Sequence, residues 1–92
     1  MIDTVLAWNY EAVPEKFDEL AHVCKVSGGE EFVPWLRALK ARVGITGKLT
    51  EQGVKREQIP RLVEIAEADI CHQTNPRPCT AADFRRLFEE AM

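Results

Sequence analysis

The stretch Ile59-Pro60-Arg61-Leu62-Val63-Glu64-Ile65-Ala66-Glu67-Ala68-Asp69-Ile70 decides the fold class, together with Cys71-His72-Gln73-Thr74-Asn75-Pro76-Arg77-Pro78-Cys79 and Thr80-Ala81-Ala82-Asp83-Phe84 after it. Ile59, Leu62, Val63, Ala66 and Ile70 recur at helical spacing, which predicts an amphipathic helix over residues 56–70. Pro60 is tolerable in its opening turn, where the amide it lacks would have no helical acceptor. Pro76 and Pro78 each disfavour the α conformation in the residue before them, so residues 71–79 are expected to form a rigid, extended loop. Thr80 and Asp83 then make a capping-box-like pair, and Phe84, Leu87, Phe88 and Ala91 share one face of a last helix.

The same reading extends towards the N-terminus. Glu30 and Glu31 open a helix whose apolar face is Phe32, Trp35, Leu36, Leu39 and Val43, with Pro34 near its first turn and Gly44 as its terminating glycine. Before it, Pro14 suits a first helical position, and Phe17, Leu20, Ala21 and Cys24 repeat at i, i+3, i+4 and i+7, which predicts a helix over residues 14–26. Ser27-Gly28-Gly29 separates the two. Ile2, Val5, Leu6 and Trp8 sit at roughly helical spacing without a capping side chain, as in the last turns of a longer helix or in a short first helix. Residues 45–52 are too short for a major helix, and Ile45 and Leu49 are expected to tuck this loop onto the core. No run alternates with period two. The expectation is an all-α chain, a compact bundle of about five helices forming a single domain over residues 1–92.

Composition narrows the function classes. The 92 residues are 46% hydrophobic and 29% charged, too apolar for a disordered tail and too interrupted by charge for a membrane protein. A domain of this size buries only about 60–65% of its unfolded surface, so its core is modest. Lys and Arg number 12 against 15 Asp and Glu, for a net charge of -3, and the basic residues form no block. Phosphate backbones reward clustered positive charge, which argues against nucleic acid as a partner. The start of the chain has neither the basic nor the apolar region of a secretory signal, so a cytoplasmic protein is expected.

Few residues offer chemistry. Cys24, Cys71 and Cys79 are an odd number without the close pairs of a zinc site, and reduced thiols are expected; Cys71 and Cys79 flank one loop, but spacing does not establish bond geometry. His22 and His72 lie beside ligand types that point in other directions along a helix, so no metal site is expected. A Cys–His nucleophile built from Cys71 and His72 is conceivable, and nothing in the pattern favours it. Glycine-rich nucleotide loops and a nucleophile elbow are absent. What stands out is Asn75-Pro76-Arg77-Pro78, a stiff polar loop between helices that can line a site or fasten elements together. The carbonyls left free where the preceding helix ends favour the second role.

In order and spacing, Ile59-Pro60-Arg61-Leu62, Ala68-Asp69-Ile70-Cys71, Thr74-Asn75-Pro76-Arg77-Pro78 and Thr80 with Asp83 and Phe84 resemble the C-terminal end of iron-containing alcohol dehydrogenases. Val5-Leu6-Ala7-Trp8-Asn9, Gly44-Ile45, Leu49 and Gly53-Val54 match the same order upstream. The resemblance implies the C-terminal part of a dehydroquinate synthase-like helical domain, beside a nucleotide-binding domain that this sequence does not contain. It also implies a parent reaction of NAD(P)-dependent alcohol and aldehyde interconversion at a divalent metal, iron, held by an Asp and three His residues that match nothing here. Cys71 would line the substrate end of the cleft, with no catalytic, cofactor-binding or metal-binding residue in this segment. Thr46, where the family often has proline, leaves open the choice between alcohol dehydrogenases and the related maleylacetate reductases.

The expected function is therefore that of a C-terminal piece of such an oxidoreductase, inactive alone and binding neither NAD(P) nor metal. Its expected partners are itself or a separately encoded remainder of the enzyme. The alternative is a stand-alone helical module that binds a protein or self-associates through apolar surface.

Overall fold

The computed structural model describes residues 1–92 and is all-helical, with α1 over Ile2–Tyr10, α2 over Pro14–Val23, α3 over Gly29–Arg42, α4 over Ile59–Ala68 and α5 over Ala81–Ala91. Short 3-10 helices cover Arg56–Gln58 and Ile70–Thr74. The α-helices sort into two compact units, α1 to α3 within residues 2–46 and α4 with α5 within residues 47–92.

In the first unit the predicted periodicity supplies the core. Phe17 of α2 packs with Phe32 and Val33 of α3, and Leu6, Ala7, Tyr10, Val13, Cys24 and Trp35 surround them. The rings of Tyr10 and Phe17 meet edge to face with centroids 5.4 Å apart, and Phe17 and Phe32 do so at 5.8 Å. Such pairs add about 0.5–1.5 kcal/mol to the burial of the rings themselves. The helices can approach because Gly29 has no side chain: a Cβ there would lie 2.6 Å from Asp18 Oδ1 and 2.9 Å from its backbone nitrogen. Instead the Gly29 amide donates to Asp18 Oδ1 at 2.9 Å, which satisfies one of the free amides at the start of α3.

The C-terminal ends of α2 and α3 turn left-handed. Past α3, Gly44 has φ 81°, its amide donates to Ala41, and the Ile45 amide donates to the Lys40 carbonyl at 2.8 Å, a Schellman arrangement. Past α2 the same pattern recurs with the wrong residue for it. Lys25 holds φ 58°, its amide donates to His22, and that of Val26 donates to Ala21 at 2.8 Å. This turn ends α2 at Val23, short of the predicted residue 26.

Three expectations fail here for identifiable reasons. Because α3 begins at Gly29, Pro34 falls in its second turn, where the Glu30 carbonyl loses its usual helical donor. Leu20 and Val43, placed by periodicity on core faces, are 42% and 61% exposed: nothing in this unit lies over them. Ile45 is also 61% exposed, because the Schellman turn spends its amide on α3 while its side chain stays in solvent.

The second unit centres on Ile59 and Val63 of α4 and on Met92, with Leu49, Val54, Ala81, Phe84 and Phe88 packed around them. Leu49 does tuck its loop onto the core, and its amide donates to the Ala91 carbonyl at 3.0 Å. The Thr50 hydroxyl donates to the Met92 carbonyl at 2.6 Å, so adjacent residues of this loop hold both Ala91 and Met92. Here too one apolar residue escapes its stripe. The helix stops at Ala68 and Asp69 is extended, leaving Ile70 out of register and 73% exposed.

An ion cluster that periodicity does not reveal joins α1 to α3. Asp3 accepts from Lys40 Nζ at 2.6 Å and from Arg37 Nε at 3.2 Å. Partial burial works to raise the carboxyl's pKa, but hydrogen bonds from Lys40 and Arg37 outweigh it and lower the pKa from 3.8 to about 2.

Two predictions follow the helix ends and this cluster. Replacing Lys25 by Gly relieves a left-handed side chain, worth about 1–2 kcal/mol, against part of which stands the greater freedom of glycine in the unfolded chain. A net gain of about 0.5–1 kcal/mol is expected in urea melts of Lys25→Gly, and a loss of similar size for Gly44→Ala. Asp3 has its pKa lowered on folding, so its contribution is present above 3.8 and is lost as pH falls towards about 2. Solvent reaches Arg37, which keeps the contribution to at most about 1 kcal/mol. Melts of the wild type and Asp3→Asn should differ near neutral pH and converge at the acid limit.

Candidate functional site

Residues 69–80, between α4 and α5, together with Asp83 in the first turn of α5, contain Cys71, His72, the Asn75–Pro78 loop, Cys79 and the Thr80–Asp83 pair, whereas His22 lies on α2 and Cys24 directly follows it. The segment is built by local capping. Asp69, extended after α4, accepts the Cys71 amide on Oδ1 at 2.9 Å and so starts the 3-10 helix Ile70–Thr74. The expected extended loop over residues 71–79 is therefore helical in its first part, because an aspartate side chain supplies the turn before either proline acts. The Thr74 hydroxyl donates to the Cys71 carbonyl at 3.0 Å and the Asn75 amide to that of His72 at 3.0 Å. Asn75 itself is extended, φ -65° and ψ 138°, as Pro76 demands.

The loop is tied to itself by Asn75, whose Nδ2 donates to the Arg77 carbonyl at 2.7 Å. The carbonyl of Glu67, freed at the end of α4, meets a different side chain. His72 Nε2 lies 3.1 Å from it, and since a carbonyl only accepts, this pairing assigns the ring proton to Nε2. The same imidazole stands edge-on to Phe84 of α5, with centroids 5.4 Å apart. One histidine thus fills a capping position on α4 and packs on α5, a role that its place in the sequence does not signal. Thr80 and Asp83 complete the predicted box: Thr80 Oγ1 accepts the Asp83 amide at 3.3 Å, and Asp83 Oδ2 accepts the Thr80 amide at 2.9 Å.

The electrostatics do not prepare a nucleophile. Cys71 is exposed and its thiol is pushed above its ordinary pKa by the hydrogen bond and charge of the Asp69 carboxylate. Asp69 is in turn held below the ordinary carboxylate range by the Cys71 amide. Burial raises Cys79, with the Asp83 charge acting in the same direction and Arg77 against it. A thiol held up in this way is mostly protonated at neutral pH, the opposite of what thiolate catalysis requires. All three cysteines are unpaired.

The iron of the resembled family does not fit the donors present. No three His, Cys, Asp or Glu side chains are grouped to hold a metal ion, His22 is exposed on α2, and His72 directs Nε2 at Glu67. No helix is long and apolar enough to cross a membrane.

Comparison with known proteins assigns the fold to a family. The model of the Fe-containing alcohol dehydrogenase family, C-terminal, matches residues 1–92. The lactaldehyde reductase of Escherichia coli K12 is 32% identical over 99% of this chain and 26% of its own length. The NAD-dependent methanol dehydrogenase of Bacillus methanolicus is 32% identical over 96% of the chain and 25% of its own length. The 4-hydroxybutyrate dehydrogenase of Cupriavidus necator is 26% identical over 100% of the chain and 25% of its own length. The chain thus spans about a quarter of the curated relatives it matches, and no solved structure matches it. Matched along its whole length, the chain belongs to the Fe-containing alcohol dehydrogenase family, whose C-terminal helical part it represents.

Proposed function

We propose that this chain supplies part of the all-helical domain of an oxidoreductase that moves a hydride between NAD(P) and an alcohol or aldehyde, in the cytoplasm. The match of residues 1–92 to the family's C-terminal part carries the reading. A hydride transferase must hold a nicotinamide against a polarised carbonyl, and on this reading the groups for both tasks belong to the part of the enzyme outside this segment, which spans about a quarter of its relatives. What remains for these residues is to present Cys71 at the substrate end of the cleft and to hold the turn that carries it. A protonated, exposed thiol suits lining better than attack.

Within this reading Asn75-Pro76-Arg77-Pro78 is a structural clasp. Asn75 supports it by bonding Arg77 across Pro76, and His72 shares the task by covering the Glu67 carbonyl. The partner for activity is the remainder of the enzyme, in the same or a separate polypeptide.

The purified chain is expected neither to bind NAD(H) nor to reduce aldehydes when iron or zinc is supplied. Calorimetric titration and the absorbance of NADH test this, and saturable binding at about micromolar concentration, a free energy near 8 kcal/mol, would overturn the assignment. For the clasp, denaturant melts should show Asn75→Ala costing about 1–2 kcal/mol, the range for an unsatisfied partly buried polar group, and His72→Ala costing about 0.5–1.5 kcal/mol through its exposed hydrogen bond and its contact with Phe84. Arg77→Ala should cost less. Equal, negligible losses would mean that the loop serves as a binding surface.

A further inference from the structure

We infer that Arg37, Lys40 and Thr46 form a binding site for a small oxyanion, a carboxylate or a phosphate group, at the C-terminal end of α3. Asp3, Arg37, Lys40, Ala41, Ile45 and Thr46 line one concavity of about 220 Å3, all within residues 2–46. A water takes up about 30 Å3 in the liquid, so the space admits an oxyanion together with a short organic body.

Three donors converge there with capacity unused. Arg37 lends only Nε to Asp3, at 3.2 Å, which leaves its outer pair of guanidinium nitrogens to a ligand; the side chain is 55% exposed. Lys40 spends one of its ammonium donors on Asp3, at 2.6 Å, and the Thr46 hydroxyl makes no hydrogen bond within the chain. Asp3 offsets one of the two cations, so the lining carries one positive charge in excess, and no other acidic side chain borders the space.

Helical spacing and one turn bring these groups together. Arg37, Lys40 and Ala41 stand at i, i+3 and i+4 on the face of α3 that meets the first turn of α1 at Asp3. The Schellman turn at Gly44 then folds Ile45 and Thr46 back beside that face, since the Ile45 amide is bound to the Lys40 carbonyl. The negative end of α3 opposes an anion, but the carbonyls of Leu39, Lys40 and Ala41 are already taken by the amides of Val43, Ile45 and Gly44. A guanidinium fork matches two oxygens of a carboxylate or phosphate, and Ala41 and Ile45 offer apolar contact to the carbon that bears it. The site uses no residue of the turn between α4 and α5 and does not depend on the hydride-transfer reading.

Nuclear magnetic resonance titration of the full chain with sodium phosphate and with sodium propionate, against sodium chloride at equal ionic strength, tests the site. Both probes are expected to move the amide signal of residue 46 saturably in the millimolar range, and chloride to move it little. Arg37→Gln should weaken both at least tenfold, Thr46→Val should weaken both about threefold, and the exposed control Arg61→Gln should change neither. Tighter phosphate assigns the site to phosphate groups, and tighter propionate to organic acids. Because Arg37→Gln also loosens α1 from α3, Thr46→Val at an exposed position serves as the second variant, and circular dichroism establishes that each is folded. Equal affinity in either folded variant overturns the inference, as do shifts that chloride reproduces or that rise without saturating.

Discussion

Helix ends are the constraint on which the rest of this structure depends. Five short helices in 92 residues leave many amides and carbonyls without helical partners, and each must be satisfied within a few residues. The solutions are local and chemically varied: Asp18 on the Gly29 amide, Schellman turns at Lys25 and Gly44, Asp69 on Cys71, His72 on Glu67, and the reciprocal Thr80–Asp83 pair. Core packing then acts on helices whose limits are already set. Phe17 can meet Phe32 because Gly29 admits the close approach, and Phe84 can receive the His72 ring because that ring is held by the end of α4.

This division explains what could be read from the sequence. The type and order of the helices were legible because apolar spacing reports which face is buried, and Phe17, Ala21, Phe32, Ile59, Val63, Leu87 and Ala91 are buried as that spacing requires. Boundaries were less legible. A left-handed lysine at position 25 gives no glycine signal, so α2 reads too long, and Asp69 stops α4 two residues before its apolar pattern runs out at Ile70. Pro34 misleads in the other direction, since a proline usually marks a first turn and here α3 begins earlier and continues through it.

The candidate site divides in the same way. Thr80 with Asp83 was legible because its signature is a fixed spacing with one physical meaning. Prolines 76 and 78 correctly placed Asn75 in extended backbone, yet they concealed the 3-10 turn that precedes it, for which Asp69 two residues before Cys71 was the available sign. The bond from His72 to Glu67 depends on a ring reaching back five residues across a chain reversal, and the cluster of Asp3 with Lys40 joins positions 37 apart. Neither leaves a periodic trace.

Cysteine and histidine placed side by side at positions 71 and 72 show how structure decides between chemistries that sequence leaves open. An activated thiol needs a nearby cation or a base with a free nitrogen. Here the neighbour that reaches Cys71 is the Asp69 carboxylate, which stabilises the protonated thiol, while the His72 ring is held by the Glu67 carbonyl on Nε2 and by Phe84 edge-on. Both residues are thus committed to shaping the turn between α4 and α5. That commitment fits the protonated state in which Asp69 holds the Cys71 thiol. It also means that substitutions here should act on the stability of the turn first, and on any reaction only through the position in which the turn holds Cys71.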